Sequence, residues 1–248
     1  VNSLEWWITY ESAIIIVCSN AMRIDTRNQF RLPVDKIRVI PIGIEANKYD
    51  GIQVNKSLVR ERYGVKPGEK IILFIGRLTH QKGCEFLIRS IPYVSRYFEV
   101  KLLIVGDGYQ RDELEQVAVT SGASDKVQFI GYLRDSELNQ LLLSSDVMVV
   151  PSIYEPFGVV ALEAMAARLP IVASNIDGLA EIVRHEENGI MVFPKDSSSI
   201  AWGISRIFSD PVNTKRLVEN ARRDVEWRFS WVSVSNLTLK AYDEALKI

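Results

Sequence analysis

Four short segments of this sequence pair glycine with side chains that can hold an anion or a hydroxyl, and each follows an apolar run. The first, Gly76-Arg77-Leu78-Thr79-His80-Gln81-Lys82-Gly83, sets two cations, Arg77 and Lys82, between glycines that let a backbone approach a ligand. It is not a Walker A loop, because Gln81 and Gly83 stand where that loop needs Gly and Ser/Thr. A diphosphate clamp with no hydroxyl for magnesium fits these residues; taken alone, a surface Arg and Lys at a turn fit them equally. The second segment, Gly106-Asp107-Gly108, is explained by a tight turn as well as by a ligand. The third, Gly131-Tyr132-Leu133, offers amides and a ring for a base, or an ordinary turn.

The fourth segment, Val150 to Met165, says most. A strand is expected to end at Pro151, a loop to carry Glu155, and a helix to begin near Phe157 or Gly158. Free N–H groups at such a helix start form a site for phosphate or sugar hydroxyls. Seven residues separate Glu155 from Glu163, so the carboxylates address different ends of one ligand rather than share a proton. Glu163 stands among Val159, Val160, Ala161, Leu162, Ala164, Met165 and Ala166, and a charge on so apolar a helix requires a partner.

Other chemistries lack their residues. His80, His185, Cys18 and Cys84 give no zinc spacing, so no metal site is expected. No Asp-x-Asp pair is present to hold a metal against a nucleotide, and no Gly-x-Ser-x-Gly supports an α/β-hydrolase. His185 reads as a surface residue at a helix end.

Position requires elements. The apolar runs Ala13–Cys18, Ile37–Ile40, Ile71–Ile75, Val100–Val105, Val127–Ile130, Val147–Val150 and Ile171–Ala173 alternate with amphipathic stretches such as Cys84–Tyr97 and Arg111–Thr120. Strands apolar at every position, separated by helices, predict a doubly wound parallel sheet of Rossmann type, with ligands outside its carboxyl ends. From Asp196 onward three helices follow, over Ile200–Phe208, Val212–Arg228 and Trp231–Leu246. Asp210-Pro211 and Ser230 mark the starts of the last two. Residues 1–40 read as helix, strand, helix, strand, and polar Asn47–Asn55 as a linker.

Composition sets the bounds. The 248 residues are 47% hydrophobic and 25% charged, which excludes collagen-like, mucin-like and charge-driven disordered classes. Thirty Lys+Arg against 31 Asp+Glu argue against a nucleic-acid partner. Two cysteines form no disulfide framework, and reduced thiols suit a cytoplasmic setting. The longest apolar run, Ala13–Cys18, is far short of the roughly 20 residues of a membrane helix, and no signal peptide is evident.

The segments in this order resemble the donor-binding half of glycosyltransferase family 4, the retaining sugar-nucleotide transferases of GT-B fold. It is similar to the glycosyl transferases group 1 that include glycogen and sucrose synthases. The matching residues begin with Val39-Ile40-Pro41 and Gly43, the Gly76-Arg77 and Lys82-Gly83 loop, Gly106-Asp107-Gly108 and Phe129-Ile130-Gly131. Pro151-Ser152, Glu155-Pro156-Phe157-Gly158, Glu163-Ala164-Met165-Ala166 and Pro170–Ser174 follow. Gly178-Leu179, Glu181-Ile182-Val183, Asn188-Gly189 and Phe229-Ser230-Trp231 complete the set.

The resemblance implies transfer of a sugar from a nucleoside-diphosphate sugar to a carbohydrate or lipid acceptor, with no cofactor and no metal. It implies that Arg77 and Lys82 hold the diphosphate, Glu163 accepts from ribose hydroxyls, and Glu155 with the Phe157–Val159 backbone meets the sugar. Arg77, Lys82 and Glu155 are the expected catalytic residues; Gly76, Gly131, Tyr132, Leu133, Phe157, Gly158, Val159 and Glu163 join them in donor binding. Ile42 and Glu45 depart from the family's usual Asn and Asp, and Arg168 and Asp177 each replace a common Gly. The last two are expected near the cleft, where they would alter donor choice. The implied division is 1–50, a remnant of an acceptor domain with the linker; 51–228, the donor domain; and 229–248, a helix crossing back. The acceptor domain would precede residue 1, so the isolated chain is expected to bind donor without transferring it. Membrane contact through that missing domain is compatible with this reading. A non-catalytic sugar-nucleotide-binding module and a GT-B-fold epimerase are the alternatives.

Overall fold

Along Lys70–Ile75, Ile71 and Leu73 enter one apolar core while Ile72 and Phe74 enter another. Successive strand side chains point to opposite faces, so a strand apolar throughout needs cover on both sides. A computed structural model, which describes residues 3–247, shows how that cover is built.

The chain begins with α1 (Ser3–Glu11), β1 (Ile15–Val17), α2 (Asn20–Phe30) and β2 (Ile37–Val39), the two strands pairing in parallel. After α3 (Lys56–Arg62) come β3 (Lys70–Ile75), α4 (Cys84–Val94), β4 (Val100–Val105), α5 (Arg111–Thr120) and β5 (Val127–Gly131). Then follow α6 (Asp135–Ser144), β6 (Val147–Val150), α7 (Val159–Ala166), β7 (Ile171–Ser174), the short α8 (Leu179–Ile182) and β8 (Ile190–Val192). Three helices close the chain: α9 (Ser197–Ser209), α10 (Pro211–Trp227) and α11 (Trp231–Ala245).

The second sheet has six parallel strands in the order β5-β4-β3-β6-β7-β8. This is the expected doubly wound α/β architecture. The order reverses between β3 and β6, and in sheets of this kind ligands bind outside the carboxyl ends of the strands at that point. Helices α4, α5 and α9 cover one face, and α7 and α10 the other. Each fully buried aliphatic side chain in these cores contributes about 1.5–3 kcal/mol.

The last two helix starts fall at the expected residues, whereas α9 begins at Ser197, three residues before the expected Ile200. Asp210 caps α10 by accepting from the Asn213 N–H at 3.0 Å, with Pro211 in its first turn. Ser230 caps α11 through the Ser233 N–H at 3.3 Å. Strand β8 and helix α3 were not among the expected elements.

The expected linker is irregular but docked. Tyr49 is only 5% exposed and belongs to the core beneath β3 and β6, and Ile44 donates its N–H to Phe229 O at 2.8 Å. Helix α11 lies against the first unit, residues 3–40 with the β1-β2 sheet: Ile40 packs with Val234 and Ala241, and Arg38 pairs with Glu244 at 2.6 Å. Of the segments 1–50 and 229–248, residues 1, 2 and 248 lie outside the described residues.

Candidate functional site

The loops leaving β3 and β6 meet at the switch point. Gln81 O accepts from the N–H groups of Ile153 at 2.8 Å and Tyr154 at 3.3 Å. Gly83 has φ +63°, and a Cβ there would stand 2.1 Å from Pro151 O. The absence of a Cβ at Gly83 is therefore what lets these two loops touch. Held this way, Lys82 Nζ reaches Glu155 Oε2 at 2.5 Å, and Ser152 Oγ donates to the same oxygen at 3.1 Å. The Glu155 N–H donates to Asp177 Oδ2 at 3.2 Å, and its carbonyl accepts from Gly178 N–H at 3.1 Å. Side chain and backbone of Glu155 are thus fixed by three segments. Arg77 is exposed, and among the described residues its side chain makes no hydrogen bond or ion pair.

Helix α7 begins beside Glu155. Its first N–H groups follow Gly158, which has φ +107° and gives no side-chain cap. A Cβ at Gly158 would meet Leu179 Cδ2 at 2.6 Å, so any other residue would push the helix start away. Phe157 turns its ring into the core, edge-on to Phe229 with centroids 6.2 Å apart, leaving only its backbone for a ligand. Val159 is exposed at the helix start.

Glu163 has the partner its apolar setting demanded. Lys48 Nζ stands 3.3 Å from Glu163 Oε1 and 5.2 Å from the centroid of the Tyr49 ring. Burial pushes the Tyr49 hydroxyl above its ordinary pKa, and Glu163 adds to the rise. Burial alone would lower Lys48, but Tyr49 and Glu163 outweigh it and hold the ammonium above its ordinary value.

The other predicted residues divide. Gly76 precedes Arg77 at the end of β3, with its N–H bonded to Val105 O at 3.0 Å. The Asp107 loop supports the Arg77 loop by accepting from Leu78 N–H at 2.9 Å. Gly131, Tyr132 and Leu133 lie at the end of the edge strand β5, two strands from β3. There Tyr132 is exposed and Leu133 packs on the core. Asp177 belongs to the site, with φ +37°. Arg168 does not: it sits between α7 and the start of β7, at the opposite end of the strands, so its expected place by the cleft is corrected. Lys48 and Ser152 were not singled out from the sequence as site residues.

The first unit touches the site directly. Ser19 Oγ donates to Pro156 O at 2.6 Å, and Glu181 accepts from Ala21 N–H at 3.0 Å and Asn20 Nδ2 at 2.8 Å. Among the described residues, no group of three or more His, Cys, Asp or Glu is placed to hold a metal ion. No helix among them is long and apolar enough to cross a membrane.

Residues 55–224 match the family described as glycosyl transferases group 1. An uncharacterised glycosyltransferase of Methanocaldococcus jannaschii is 42% identical over 251 residues, covering 100% of this chain and 64% of the relative. A glycogen synthase of Mycobacterium tuberculosis is 34% identical, covering 98% of this chain and 56% of its own length. The chain therefore spans about 64% and 56% of these curated relatives. The structure of Anabaena HepE in complex with UDP-glucose superposes with a TM-score of 0.84 at 27% identity, covering 93% of this chain and 64% of that one.

Proposed function

Because the chain belongs to the glycosyl transferases group 1 family, we propose that it is the donor-binding part of a retaining glycosyltransferase that needs no metal ion. The sugar would pass from a nucleoside-diphosphate sugar to an acceptor hydroxyl on a carbohydrate or lipid. The observation that carries this reading is the meeting of Lys82 and Glu155 at the switch point, beside the uncapped start of α7. The neighbour solved with UDP-glucose supports a nucleotide-sugar ligand.

In this reading Arg77 and Lys82 take the diphosphate, Glu163 accepts from the ribose, and Glu155 with the 157–159 backbone meets the sugar. Lys82 turns from the carboxylate to the phosphate when donor enters, releasing Glu155 to sugar hydroxyls. Negative charge grows on the diphosphate as the glycosidic bond breaks. Once donor is bound, these cations and the helix N–H groups stabilise that charge without reorganising further during bond cleavage. One cation about 4 Å away supplies roughly 4 kcal/mol at an effective dielectric near 20. The division at residues 50 and 228, a cytoplasmic setting and the retaining course belong to the same proposal.

Calorimetry of this chain with UDP, ADP and GDP and their glucose conjugates, in EDTA, tests donor binding. At least one should bind, and adding magnesium or manganese should not be required. If none binds under any condition, the donor reading falls; if a divalent ion is required, only its metal-free part falls. The anomeric configuration of the product, read by NMR, tests retention.

A further inference from the structure

Glu163 is met by a cation from outside the six-stranded sheet, and the frame that delivers it is well defined. Arg222 of α10 has a side chain only 4% exposed. Its guanidinium donates to Asn47 Oδ1 at 2.9 Å and Asp50 Oδ2 at 2.7 Å. The same group donates to Ala166 O, at the end of α7, at 2.9 Å. One buried cation therefore ties the 47–50 turn to the helix that carries Glu163. Within that turn Tyr49 is anchored in the core, and Lys48 projects to Glu163 Oε1.

We propose that Lys48 is a positioning residue for nucleoside recognition: it holds Oε1 of Glu163 so that Oε2 is presented to the ribose hydroxyls. The inference rests on the ribose role proposed for Glu163. A carboxylate has acceptor capacity for several donors, so one ammonium leaves room for the sugar. Fixing the Glu163 rotamer beforehand removes part of the ordering cost from binding. Once ligand covers the partly buried carboxylate, the oxygen facing away from the ribose still needs a donor, and Lys48 supplies it.

The test titrates the chain with the tightest binder among UDP, ADP and GDP and with its 2′,3′-dideoxy analogue. The ratio of the two affinities reads the ribose contribution. Lys48→Met should lower that ratio about two- to fivefold, the scale of a part-exposed charge pair. Lys48→Arg should restore most of it, and Lys48→Met should add nothing in a Glu163→Gln background. A structural role alone would weaken both ligands and leave the ratio unchanged, overturning the proposal; tighter ribonucleotide binding by Lys48→Met would show that the two compete, and also overturn it. If Glu163→Gln lowers the ratio and Lys48→Met does not, this proposal fails and the ribose reading stands. If Glu163→Gln leaves the ratio unchanged, the ribose reading fails and takes this one with it. Failure of the unaltered chain to bind any of the three overturns both.

Discussion

Glu155 and Glu163 carry the same charge with seven residues between them, yet each has its own lysine. That difference makes their proposed roles separable. Glu163→Ala should weaken a nucleoside diphosphate and its sugar conjugate alike, by about 1.5–3 kcal/mol for a charge-assisted hydrogen bond. Glu155→Ala should leave the bare diphosphate no weaker, because it releases Lys82, while the sugar conjugate loses affinity. Four titrations decide it: if Glu155→Ala harms the bare diphosphate as much as Glu163→Ala does, the roles are not divided. In an enzyme with its acceptor side assembled, Arg77→Ala or Lys82→Ala should each lower turnover about 10²–10³-fold, the scale of one preorganised donor. Near-normal turnover in the double variant would make the loop structural only. The need of Glu163 for a partner was legible, since a lone carboxylate on an apolar helix stands out. Its identity was not, because Lys48 lies 115 residues away and nothing local distinguishes it from a solvated lysine.

Helix ends obey local chemistry, so Asp210-Pro211 and Ser230 could be recognised as starts from one or two residues. Strand β8 has three residues and shows no period long enough to recognise. Helix α3 has seven, directly after the segment read as a linker, and is too short for a clear helical period. Arg168 shows the limit of a motif position: its departure from glycine was visible, but only the topology places it away from the cleft. What the departure affects is backbone conformation. Arg168 has φ +57° where α7 ends, a left-handed position that glycine occupies without a Cβ clash. Arg168→Gly is therefore expected to stabilise the chain by about 0.5–1 kcal/mol and leave nucleotide affinity unchanged. Urea denaturation checks the first expectation and calorimetry the second. A fall in the unfolding midpoint would mean that contacts of the arginine outweigh the strain.

At the scale of the molecule, the order of strands turns scattered motifs into one site. β3 and β6 become neighbours at the point where the sheet reverses, so the loops carrying Lys82 and Glu155 must meet. Apolar runs alone could reveal a parallel sheet but not the docking of the first unit on its rim. That unit is thinly supported by comparison. β1 and β2 pair only with each other over a buried cluster of Val17, Leu32 and Ile37, whereas β3 and β6 lie between two large cores. Opening the first unit therefore exposes much less apolar surface than opening the sheet, and the free energy of opening should fall accordingly. In this 248-residue chain, amides of Ile15–Val17 and Ile37–Val39 should exchange at least about tenfold faster than those of Ile71–Phe74, a gap of about 1.4 kcal/mol or more. Glu181 accepts both polar contacts from the start of α2, so Glu181→Ala should speed exchange in the first unit and leave β3 unaffected. Hydrogen exchange read by mass spectrometry checks both expectations. Equal protection in the two sheets would mean that they open together, and that the contacts at Pro156 and Glu181 bind the first unit into the same cooperative structure as the six-stranded sheet.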